Sequence, residues 1–176
     1  MRYALVYGGI AGAIALSVIV FSLVTELPDH NHSLWFGYLV MLAALTLIFV
    51  GVKRYRDVEC GGVIRFGRAF LVGLGMAAVA GIVYVACWEA FVAATGWDFM
   101  AEYSRTILAG MRADGASPSE IAAAQEEMRG YEGIFANPLM RIPMIFLEIF
   151  PVGLLVALIS AALLRNPRLL PARAAT

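Results

Sequence analysis

Two carboxylates stand in apolar surroundings that water would not provide: Glu89 in YVACWEAFV and Glu148 in FLEIFPVGLL. An ionised carboxylate near the centre of a bilayer costs about 2.5–3.5 kcal/mol. Each therefore calls for a partner or a proton. Two carboxyls brought close can share one proton, because like charges push one pKa up. Arg141 lies two helical turns before Glu148 on the same face, where it could serve as counter-ion. Pro151 lacks a backbone donor and so frees the carbonyl of Leu147 beside that glutamate. Glu89, Glu148 and Arg141 form the candidate intramembrane polar site. Its chemistry is interhelical hydrogen bonding worth about 1–2 kcal/mol, a proton- or cation-linked step, or contact with a partner.

Other reactive residue types offer less. Asp29-His30-Asn31-His32 places two histidines at i, i+2, but no third ligand is evident, so the stretch reads as a solvated turn and no metal is expected. Cys60 and Cys87 are too few for a disulfide framework and lack metal-like spacing. No Cys-x-x-Cys, no Gly-rich nucleotide loop and no histidine inside an apolar run is present. A serine nucleophile would lack its base. The expectation is a non-enzymatic protein without a cofactor. Thirteen basic and thirteen acidic residues cancel, so no basic field attracts nucleic acid.

The elements that hold these residues are set by composition. Apolar residues make up 61% of the 176 and charged residues 15%, against roughly 45–50% and about 25% in soluble domains. Four runs are almost free of charge: 3–24, 34–52, 69–94 and 142–164. Each is long enough for a bilayer core of about 30 Å at about 1.5 Å per residue. Only helices satisfy their own backbone there as single segments. The sequence predicts an all-α polytopic membrane protein, one membrane domain over 1–176 with a four-helix transmembrane bundle. From the assumed span centres, Glu89 and Glu148 fall at matching depth, about 7–9 Å from the midplane. The first run continues well past Ala13-Ile14-Ala15, so it reads as a span and not a cleaved signal.

Lysine and arginine set the direction. Lys53, Arg54, Arg56, Arg65 and Arg68 lie between the second and third runs, with Arg2 before the first and Arg165, Arg168 and Arg173 after the last. Only Arg105, Arg112, Arg129 and Arg141 lie on the other side. Both termini are expected in the cytoplasm of a cell whose inner membrane the chain crosses. Trp35, Tyr38, Trp88 and Trp97 would then form an outer aromatic belt. The loop 95–140 is expected to be an extracytoplasmic helical hairpin. Phe99, Tyr103, Ile107 and Met111 make a fourfold stripe, Asp114-Gly115 a stop, and Ser117-Pro118-Ser119-Glu120 a capping box opening a second helix. That helix has Ile121, Ala124, Met128 and Tyr131 on one face.

Small residues allow helices to approach closely in lipid. Gly8 and Gly12, then Gly73, Ala77 and Gly81, then Gly153 and Ala157 form fourfold ridges and are the expected packing residues. The expected partners are the lipid bilayer and a second copy or another membrane protein.

A resemblance covers nearly the whole chain. It is carried in order by Tyr7-Gly8, Ala11-Gly12, Lys53-Arg54-Tyr55-Arg56-Asp57, Gly61-Gly62, Phe66-Gly67-Arg68-Ala69-Phe70, Tyr84, Trp88-Glu89, Tyr131, Asn137-Pro138-Leu139 and FLEIFPVGLL. The sequence resembles the bacterial domain-of-unknown-function 4199 family. The resemblance implies a four-span integral membrane protein with an acidic helical loop before the last span, and implies no activity. Arg68 departs from it, since a smaller or amide side chain is expected there.

Overall fold

A computed structural model of the chain describes residues 1–24, 34–96 and 98–171. The polar turn with His30 and His32 lies outside them, as do Trp97 and Arg173, and the side chain of Trp35 is likewise not described. A π-helical segment, Ala4–Gly8, leads into α1 (Gly9–Val24). Then come α2 (Leu34–Glu59), α3 (Phe66–Thr95), α4 (Phe99–Ala113), α5 (Pro118–Ala136) and α6 (Pro138–Leu164). No strand occurs among the described residues. Four helical segments are long and apolar enough to cross a membrane: Ala4–Phe21, Gly37–Glu59, Phe66–Thr95 and Pro138–Leu164.

Three of these helices outrun the apolar stretches that announce them. α2 continues through Lys53-Arg54-Tyr55-Arg56-Asp57 to Glu59, α3 begins at Phe66, and α6 begins at Pro138. Lysine and arginine are good helix formers, so a charge marks the edge of the lipid and not the end of the helix. Proline at the first position of α6 fits because its missing N–H would have had no partner.

The chain divides into two compact units. One contains Met1–Trp88 and Phe146–Thr176, the other Glu89–Ile145. In the first, α2 turns Met41, Leu45, Ile48 and Val52 inward at helical spacing, each nearly inaccessible. Ala69, Met76, Ala77 and Ala80 of α3 and Ala157, Ala161 and Leu164 of α6 complete the core. A Cβ at Gly8 or Gly12 would overlap the carbonyl oxygen of Met76 or Ala80, so α1 touches the α3 backbone. One at Gly73 would meet the Ala157 Cβ at 3.0 Å, and one at Gly153 the Ala77 Cβ at 2.9 Å. At Gly81 it would strike the Phe146 ring at 2.6 Å. Large apolar side chains such as Leu5, Leu39, Leu71, Ile82 and Leu155 point outward, as lipid allows. Trp88 is buried in the core and not part of an outer belt, whereas Tyr38 is exposed.

In the second unit Asp98 caps α4, its Oδ1 accepting from the Ala101 amide at 3.0 Å. α4 ends at Asp114-Gly115, where Gly115 takes φ 78°, a conformation that favours glycine. Ser117 and Glu120 close a reciprocal capping box on α5. α4 and α5 pack together. The buried row of α4 is not the expected one. Met100, Ser104 and Leu108 are buried, Tyr103 is exposed, and Ile107 and Met111 are half-buried. A serine interrupts the true row and disguises it, and its hydroxyl is buried without a hydrogen-bond partner among the described residues. On α5, Ile121, Ala124 and Met128 are half-buried and Tyr131 is exposed.

Candidate functional site

Glu89 lies in the last turns of α3 and Arg141 in the first turn of α6, 52 residues later. Both belong to the second unit. Arg141 Nε donates to Glu89 Oε1 at 2.8 Å and Nη2 to Oε2 at 2.5 Å, a bidentate pair. Its Nη1 donates to the carbonyl of Phe135 at 2.8 Å. The two side chains are 17% and 27% exposed, which limits screening by water. A planar fork on a carboxylate is the strongest common geometry for such a pair, and it fixes direction as well as distance. The arginine thus serves Glu89, although sequence spacing assigns it to Glu148.

Glu148 belongs to the first unit. The residue is exposed on α6, one position off the buried row Ile145, Ile149, Val156, even though packed atoms crowd its carboxyl. It has no hydrogen bond or ion pair among the described residues. Tyr84, buried on α3, is near enough for the two groups to interact electrostatically.

A second polar cluster, concealed in the sequence by the basic segment from Lys53 to Arg68, lies at the C-terminal end of α2 in the first unit. The inward row of α2 continues from Val52 by one turn to Arg56, whose side chain is completely buried. Arg56 Nε donates to Asp57 Oδ1 at 2.8 Å, and Lys53 Nζ donates to Asp57 Oδ2 at 2.5 Å. Nη1 and Nη2 of Arg56 donate to the carbonyls of Leu169 at 3.0 Å and Leu170 at 2.5 Å. Leu170 has φ 49°, the left-handed region, which costs a leucine about 1–2 kcal/mol. The charged hydrogen bonds to Arg56 offset that strain. Fourfold spacing from Ile48 through Val52 was the signal for this residue. Nothing in the sequence pointed to its acceptors, 113 and 114 residues away.

Beside it, Tyr55 Oη accepts from Arg68 Nε at 3.1 Å and from Nη2 at 2.7 Å. Tyr3 donates its hydroxyl to Glu59 at 3.0 Å and meets the Tyr55 ring edge-on at 5.4 Å.

Helices of this length and apolarity, with charge gathered at their ends, define an all-α, multi-pass membrane protein. The family model described as protein of unknown function (DUF4199) matches residues 2–166, and the chain belongs to that family. No curated protein and no solved structure matches it.

Proposed function

We propose that the chain is a non-enzymatic component of a bacterial inner membrane, with both termini cytoplasmic, that packs against a second copy or another membrane protein. One observation carries this reading. Both oxygens of Glu89 are taken by Arg141, so the polar group in the outer half of α3 is committed to structure and not free for turnover. The split of basic residues supports the orientation: Arg2, the segment from Lys53 to Arg68 and the residues from Arg165 on hold nine of the thirteen. The helices α4 and α5 then stand outside the cytoplasm as the surface open to a partner. Among the described residues of these helices, Tyr103, Tyr131 and Ile134 are exposed large apolar side chains.

A second reading, a small proton- or cation-coupled transporter, draws support from Glu148, a carboxylate in a span without a partner among the described residues. Proton flux into liposomes separates the two. The native chain and the Glu89→Gln, Glu148→Gln double variant are expected to match empty liposomes. Flux present in the native chain and absent from the variant would replace the first reading by the second.

A further inference from the structure

Where α3 starts, a cleft of about 310 Å³ opens between the first helix and α3. Its mouth is polar. Arg68, Tyr55 and Tyr3 line it, and the Arg68 guanidinium sits over the Tyr55 ring at 5.4 Å. Its deeper wall is apolar, made by Ala4, Val72 and Gly75. A Cβ on Gly75 would find only the Ala4 Cβ, at 3.7 Å, so the absence of a side chain there leaves a slot.

The donors in the mouth are underused. Arg68 places Nε and Nη2 on one tyrosine oxygen, which leaves Nη1 without a partner among the described residues. That oxygen accepts twice, so the Tyr55 proton is free to be donated outward. Glu59 is near enough to act on Arg68 electrostatically, but its carboxylate is engaged elsewhere. It accepts from Tyr3 and lies 3.9 Å from Arg2, and it makes no ion pair with Arg68. Arg68 and Tyr55 both line the cleft, so the spare guanidinium nitrogen and the tyrosine proton belong to one cavity wall. Two donors, one cationic, suit the oxygens of a phosphate.

We propose that this cleft binds one anionic phospholipid, with its phosphate on Arg68 and Tyr55 and the top of an acyl chain in the slot over Gly75. A cation at the rim with an apolar wall one to two helical turns below matches an amphiphile, which a free anion would not need. Position agrees, because Arg68 stands at the end of a membrane-crossing helix, at headgroup depth. The site needs no assumption about which leaflet it faces.

Native mass spectrometry of the full chain in detergent, with added phosphatidylglycerol, phosphatidylcholine or inorganic phosphate, tests this. One tightly held phosphatidylglycerol is expected, with little phosphatidylcholine retained and no phosphate adduct. Arg68→Gln removes a charged hydrogen-bond donor to the phosphate and should weaken retention about fivefold, or about 1 kcal/mol. Arg65→Gln removes the same charge outside the cleft and should leave retention near native. Arg68→Lys keeps the charge but loses the fork, and should fall between. Equal losses in Arg68→Gln and Arg65→Gln, or native retention in both Arg68 variants, would reduce the effect to general surface charge and overturn the site. Phosphate held as firmly as the lipid would overturn the lipid assignment. Should Arg68→Gln fail to fold, Tyr55→Phe, which removes only the hydroxyl donor, is expected to halve retention or more, and native retention there would overturn the proposal.

Discussion

Arg141 divides its guanidinium between a side chain and a main chain. Two nitrogens hold Glu89 and the third holds the Phe135 carbonyl near the end of α5. Removing either charged partner leaves the other in a poorly solvated place, which costs more than removing both. A double-mutant cycle with Glu89→Gln and Arg141→Gln, read by unfolding in mixed micelles, should give a coupling of about 1–2 kcal/mol. Additive losses would mean that the pair adds nothing beyond its separate contacts. Glu120 is a different kind of acid, fully in water at the start of α5. The Ser117 hydroxyl and backbone amide, both bonded to it, hold its carboxyl below the usual glutamate value. A folded pKa below the unfolded one stabilises above the unfolded value, about 4.3, and the benefit disappears as pH falls through the folded value. Amide protection in the first turn of α5 should hold from pH 7 to about pH 5 and then decline below about pH 4. In Glu120→Gln this acid-dependent decline should be blunted.

At the scale of elements, the seam between α1 and α3 is the most exacting contact. Gly8 and Gly12 rest on backbone carbonyls, which cannot rotate away, whereas nothing lies within 4 Å of a Cβ on Gly9. Gly8→Ala or Gly12→Ala should therefore cost about 1–3 kcal/mol, and Gly9→Ala should be neutral or gain up to about 1 kcal/mol. Melting temperatures of the three variants in one detergent check this ordering. The four apolar helices and the capping box were legible because each depends on neighbours within a turn or two along one helix. Arg56 was not, since its acceptors come from a distant segment and its neighbours in sequence look like a solvated basic loop. The Ser104 row was hidden because one hydroxyl interrupts it. For Glu148 the sequence gives only part of the answer. Depth along a helix can be counted from sequence, but whether a residue sits on the inner row or one position beside it depends on how the helices are rotated about their axes.

For the molecule as a whole, charge distribution makes a prediction about sidedness. Cys60 lies at the end of α2, beside the turn at Gly61-Gly62, and Cys87 lies within α3. With the basic segment inside, a membrane-impermeant maleimide should leave Cys60 unlabelled in intact spheroplasts and react with it after permeabilisation. Labelling in intact spheroplasts would reverse the topology.

The clasp on Arg56 also sets an order on biosynthesis. Arg56 leaves the ribosome at the end of α2, and its carbonyl acceptors at Leu169 and Leu170 follow 113 and 114 residues later, after α6. Until then the guanidinium lacks two of the three acceptors it has in the folded chain. Closure of the clasp thus requires that translation has passed α6. Quality-control proteases could read its absence. A chain stopped after Asn166 should still insert its four helices, yet pulse–chase should find it degraded several-fold faster than the full chain, as expected when a loss of about 1–2 kcal/mol changes abundance.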